Sequence, residues 1–133
     1  MKLLNRDVDY SVRALLHIAA RAPGVVPVSG METAVGVSRP FLRKILQELN
    51  KAGILRSRKG RGGGFVLAKK PGRISLTELL DLFQGPVALN DCVFNNRLCK
   101  NHKTCPLRSK VGAIEKHMLE EIKKITLQTL LRR

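Results

Sequence analysis

Apolar residues recur at helical spacing from the start of the chain. Val8, Val12, Leu15, Leu16 and Ala19 fall on one face of the stretch from Val8 to Arg21, and Pro23-Gly24 just beyond supplies a stop. The segment VPVSGMETAVGVSRPFLRKILQELNKAGIL then predicts two helices broken near Gly36-Val37, with Ser29 and Ser38 as N-caps and Pro40 in the first turn of the second. Phe41, Leu42, Ile45, Leu46 and Leu49 give that second helix its apolar side, and Gly53 ends it. Next, Ile54-Leu55 and Phe65-Val66-Leu67 are short apolar stretches joined by a basic, glycine-rich turn, the pattern of a β-hairpin. ISLTELLDLF, from Ile74 to Phe83, predicts a further short helix closed by Gly85-Pro86. A loop from Val87 to Pro106 follows. Beyond it, Leu107, Val111, Ile114, Met118, Ile122 and Ile125 form one narrow apolar stripe separated by Lys, Glu and His.

A short helix, a glycine-containing turn, a longer helix and a hairpin are together a winged helix-turn-helix. The fold class expected is mainly α with a small β-hairpin wing, plus a long C-terminal helix whose narrow stripe suits a partner helix in a symmetric homodimer. Residues 1–85 are expected to form the winged unit, 86–106 a cysteine-bearing loop, and 107–133 the dimerisation helix and tail.

Charge then narrows the partner. Lys and Arg number 25 against 10 acidic residues in 133, a net charge of +15, which directs a strong positive field at a polyanion. Aromatic residues make up only 4%, with no Trp, one Tyr and four Phe, so few rings exist on which unstacked bases could rest. Double-stranded DNA is therefore expected over single-stranded RNA. No run of eighteen apolar residues occurs, and charges occupy the N-terminus where a signal peptide needs apolar residues, so a cytoplasmic protein with no membrane partner is expected.

If the second helix of the pair enters a major groove, Ser38, Arg39, Pro40, Arg43 and Lys44 lie at its leading end. Arg39 and Arg43 rank above Lys44 for specificity because a guanidinium fork matches guanine O6 and N7. In the wing, Arg56, Arg58, Lys59 and Arg61 flank a run of three glycines expected to let the backbone turn tightly and approach DNA. Arg61 at the tip is placed for a narrow minor groove, and Arg58 and Lys59 for phosphates. Nothing matches a phosphate-cradling GxxxxGK[ST] loop, and neither a CxxC pair nor a Ser/His/Asp arrangement supports an enzyme.

Cys92, Cys99 and Cys105 all fall in DCVFNNRLCKNHKTCPL. An odd number of cysteines in a polar loop argues against a disulfide framework and for a metal site. Gaps of six and five residues are wider than the two to four common in zinc sites, and favour an iron-sulfur cluster, two-iron (2Fe-2S) or four-iron (4Fe-4S), over zinc or redox thiols. Three thiolates leave a fourth position, for which Asp7, Asp9, His102 and His117 are the visible candidates.

Together the helix-turn-helix segment, the wing RKGRGGGFVLAK, the helix ISLTELLDLFQGPVALNDC and the C-x6-C-x5-CPL loop resemble the Rrf-two family of winged-helix regulators over nearly the whole chain. The resemblance implies a homodimeric transcriptional regulator, joined through the helix after the loop and holding an iron-sulfur cluster on Cys92, Cys99 and Cys105. Operator binding would then be modulated by iron, redox or nitric oxide status. Relatives that read iron-sulfur status carry an acidic residue where this chain has Arg43, and a histidine ligand where it has Arg108. Nitric-oxide sensors instead supply an aspartate from the other subunit's first helix, and Asp9 matches that position.

Overall fold

The computed structural model describes residues 3–87, 89 and 104–132. Helix α1 (Arg6–Ala20) begins two residues before its first core position, because Asn5 caps it: the Asn5 Oδ1 accepts from the Val8 N–H at 2.9 Å. Asp7 and Asp9 occupy its first turn, where carboxylates favour the positive end of the helix. Of the predicted stripe only Val8 and Leu15 are fully buried; Val12, Leu16 and Ala19 are half-buried at its edge, and Ala14 and Ile18 complete the core face.

Helix α2 (Met31–Val35) is capped by Gly30, not by Ser29. The Met31 N–H donates to the Val28 carbonyl at 3.0 Å, a turn that puts Gly30 in the left-handed region at φ +88°, so the helix starts only after it. Helix α3 (Arg39–Lys51) has Ser38 at its N-cap and Pro40 in its first turn, as expected. The Ser38 hydroxyl makes no capping bond, and only its backbone carbonyl joins the helix, accepting from Leu42 at 2.9 Å. Leu42, Ile45, Leu46 and Leu49 bury the inner face of α3, while half-buried Phe41 meets Tyr10 of α1 edge to face at 5.8 Å.

Strands β1 (Leu55–Arg58) and β2 (Gly64–Leu67) form the antiparallel wing, with Leu55 opposite Leu67 and Arg58 opposite Gly64. The wing is tied inward by Val26, which exchanges two backbone hydrogen bonds with Phe65 at 3.0 and 2.9 Å. A 3-10 turn (Pro71–Arg73) leads to α4 (Leu76–Phe83), which starts at Leu76, after Ile74, because the Ser75 hydroxyl caps it by accepting from the Glu78 N–H at 3.1 Å. The end of α4 is laced to the start of α1: the Asn5 N–H donates to the Gln84 side chain at 2.8 Å, and Gln84 Nε2 donates to the Leu3 carbonyl at 2.9 Å.

Helix α5 (Pro106–Lys123) is the predicted long C-terminal helix, but its apolar stripe has two fates. Ile122, 3% exposed, joins the core, whereas Leu107 and Ile114 are 68% and 61% exposed. The residues expected to be a tail contain a further helix, α6 (Leu127–Leu131), started by a capping box between Thr126 and Thr129. Leu127 is buried, and α6 packs on α1 and the 3-10 turn. Ser75 and Thr126 pair as a short bridge, flanked by Leu76 N–H to Ile125 carbonyl at 3.0 Å and Leu127 N–H to Ile74 carbonyl at 2.8 Å. Among the described residues, no helix is long and apolar enough to cross a membrane.

Candidate nucleic-acid interface

Three side chains of α3, Arg39, Arg43 and Gln47, recur every fourth residue and so line one edge of the helix beside its buried face. Opposite them stand Ser57, Arg58, Lys59 and Gly60 of the wing, with Pro27, Val28 and Ser29 closing one end. The space between is an open groove of about 630 Å³. Of the residues the sequence nominated, the groove brings together Arg39, Arg43, Arg58 and Lys59. Ser38, Pro40 and Lys44 lie outside it: Ser38 and Pro40 belong to the start of α3, and Lys44 is turned about 100° round the helix from Arg43. Arg61 is exposed at the apex of a turn in which the Gly63 N–H donates to the Gly60 carbonyl at 3.0 Å.

The glycine run makes the tight turn expected of it, and its members differ in what they do. Gly62, at φ +76°, supplies the turn. Gly63 and Gly64 are small because their own chain crowds them: a Cβ on Gly63 would strike the Arg58 carbonyl, and one on Gly64 the Val26 carbonyl. Gly63 thus lets the hairpin close on itself and Gly64 lets the wing lie against Val26, and both glycines line the groove.

Gln47 is a groove residue that sequence reasoning does not nominate. Its signal is present, four residues after Arg43 and eight after Arg39, but which side of α3 faces the wing is settled only by packing. Among the described residues, Arg43, Lys44, Arg56, Arg58, Lys59 and Arg61 have no carboxylate within ion-pair distance. Arg39 does: its Nε and Nη2 donate to Glu32 Oε2 and Oε1 at 3.3 and 2.9 Å, across the turn between α2 and α3. Hydrogen bonding and charge from Arg39 hold the Glu32 carboxyl below the usual carboxylate range, and the same contacts raise the Arg39 value. A second basic recess, behind the wing, is lined by Arg56, Arg58, Lys69 and Lys70, although Lys69 is paired with Glu78 at 2.8 Å.

Of the nominated cluster ligands, Cys92 and Cys99 lie outside the described residues, as does His102. Cys105 is a free, half-buried thiol at the N-cap of α5. Asp9 is half-exposed on the first helical turn of the chain, with its Oδ1 3.2 Å from Arg13 Nε, and it borders a shallow recess with Leu4, Asn5, Arg6 and Tyr10. Among the described residues, no three His, Cys, Asp or Glu side chains converge.

Comparison with known proteins places this architecture. An HTH-type transcriptional regulator, rrf2-like, of Rhodobacter capsulatus is 29% identical over 97% of this chain and 92% of its own length. One from Aquifex aeolicus is 32% identical over 91% of this chain and 80% of its own. Two solved structures share the fold: CymR, described as the global cysteine regulator of Bacillus subtilis, with a TM-score of 0.82 at 20% identity over 99% of this chain and 98% of that one, and T. potens IscR, with 0.75 at 24% over 99% and 87%. The relatives are regulators rather than enzymes. The family model for Rrf2, described as an iron-dependent transcriptional regulator, matches residues 4–133, and the chain belongs to the Rrf2 family of transcriptional regulators.

Proposed function

We propose that this protein is a homodimeric regulator that grips duplex DNA between α3 and the wing, with operator occupancy modulated by an iron-sulfur cluster. The observation that carries the reading is the groove itself, where Arg43, Arg58 and Lys59 converge without a carboxylate partner among the described residues and Gln47 stands beside them. In a major groove, Arg43 is a guanine reader and Gln47 an adenine reader, since each offers the two-point match that its base presents. Arg58 and Lys59 hold phosphates, and Arg61 at the wing apex enters the minor groove. The exposed Leu107 and Ile114 of α5 supply the apolar face that a second copy covers, which sets two recognition helices on one duplex. On this reading residues 1–85 bind DNA, 86–106 carry ligands and 107–133 join the dimer, with Leu127 returning to the body.

The chemistry of the donors, three thiols and a carboxylate, supports the cluster. Cys105 is a thiol free of any disulfide, and it sits where the open N–H groups of the first turn of α5 favour an anionic group. Cys92, Cys99 and Cys105 would hold the cluster, with Asp9 of the partner subunit as the fourth ligand. A bound cluster supplies a centre sensitive to iron, oxygen and nitric oxide. Asp9 must exchange its Arg13 contact for that role, and an exposed pair is weak enough to permit it.

Anaerobic purification with iron and sulfide quantitation and a visible spectrum, followed by titration of duplexes selected from a random pool, tests both halves. Brown protein that prefers a near-palindromic duplex is the expected result. A colourless zinc protein, or metal-free protein whose DNA binding follows thiol oxidation, overturns the cluster. A monomer without duplex preference overturns the whole reading.

A further inference from the structure

Arginine carries five N–H donors arranged along two usable edges, one formed by Nε and the near side of Nη2, the other by Nη1 and the far side of Nη2. Glu32 takes the first edge of Arg39 with both carboxylate oxygens, at 3.3 and 2.9 Å. The second edge has no hydrogen-bond partner among the described residues, and Arg39 lines the groove. That second edge keeps two parallel N–H bonds, the pattern that matches O6 and N7 of guanine.

We propose that Glu32 is a positioning residue for base recognition: it fixes the Arg39 guanidinium by one edge and leaves the other as a pre-set fork for a guanine. The inference rests on the DNA-binding reading above and deepens it by naming what aims one of the readers.

The pair's location argues against a purely structural role. Its side chains are 48% and 28% exposed, and ion pairs at such sites contribute little to folding. In the free protein a lone arginine samples many rotamers, and ordering it on DNA costs affinity for right and wrong bases alike until the bidentate contact is made. Holding the fork beforehand removes that cost only where the base fits. Glu32 also brings a negative charge close to the DNA, which weakens binding to every duplex.

The two effects of Glu32 are opposite and therefore separable. In the Glu32→Ala variant of the full-length dimer, affinity for random duplex should hold or rise, because a negative charge has gone. Preference for guanine over adenine at one position per half-site should fall about tenfold, within the range of one bidentate contact. Arg39→Ala should erase the same preference. The double variant should lose no more than Arg39→Ala alone, since the two residues act as one unit. Replacing that guanine by 7-deazaguanine, which lacks the N7 acceptor, should weaken wild type strongly and Glu32→Ala little. Arg43→Ala should leave this position untouched and relax another.

An unchanged guanine preference in Glu32→Ala, with uniformly higher affinity, would make Glu32 a bystander charge and overturn the inference while leaving the DNA-binding reading intact. A loss spread equally over all positions, together with a lowered melting temperature, would make it a helix-packing residue and overturn the inference as well. Absence of sequence preference in the wild-type protein overturns both.

Discussion

Gln47 and Glu32 show what a single side chain's chemistry withholds until its neighbours are known. Both are ordinary polar helix residues in the sequence, and although Gln47 continues the spacing of Arg39 and Arg43, that spacing does not tell a groove edge from a solvated one. What distinguishes them is the wing opposite one and the guanidinium beside the other, both products of tertiary packing. Gln47→Ala should cost about tenfold in affinity for the preferred duplex and almost nothing for random duplex, measured by fluorescence anisotropy at fixed salt. In the wing, Lys59→Ala should weaken all duplexes alike and flatten the slope of log affinity against log salt by about one for each phosphate left without its lysine. Arg61→Ala should weaken operators with narrow A/T minor grooves most. Equal, sequence-blind losses for Lys59→Ala and Arg61→Ala would show Arg61 at a phosphate. For the cluster, Asp9→Ala should leave the dimer folded but shift the visible spectrum and speed cluster loss; an unchanged spectrum and lifetime would remove Asp9 from the ligand set.

At the level of elements, periodicity makes α1, α3 and α4 legible, because each has enough buried positions to express 3.6-residue spacing, whereas the strands, with one buried residue each, are legible from the glycine-rich turn between their apolar stretches. Helix α6 escapes because its five residues hold barely more than one turn, and its start depends on Thr126 and Thr129 capping each other. Ser29 fails as a cap for a related reason, since the turn that displaces it is a backbone bond between Val28 and Met31. The wing's glycines are recognisable as a turn, but their crowding against Val26 and Arg58 depends on residues distant in the sequence or across the hairpin. Gly64→Ala should therefore destabilise the protein by about 1–3 kcal/mol in urea titrations, with the wing's amide protons losing protection first. Leu127→Ala should cost about 2–5 kcal/mol, far more than a frayed tail would, because its side chain is fully buried in the monomer.

For the molecule as a whole, the sequence's net charge of +15 and its split C-terminal stripe converge on one arrangement, a basic body carrying an apolar handle. Replacing Leu107 and Ile114 together by Asp should yield folded monomer by sedimentation and weaken operator binding steeply, since each half-site then binds alone. Helix α5 has 18 residues and so extends about 27 Å from Cys105 to its end. That end is clamped to the strap before α4 by the Ser75 and Thr126 bridge and its two flanking hydrogen bonds. Mechanically, α5 is a lever whose fulcrum is this clamp and whose long arm ends at a thiol. A tilt of about 5° at the fulcrum sweeps Cys105 through roughly 2 Å on a rod of this length. Because α4 is laced to the N-terminus of α1, and α1 packs on α2, α3 and β2, a continuous series of packed elements joins this clamp to the groove.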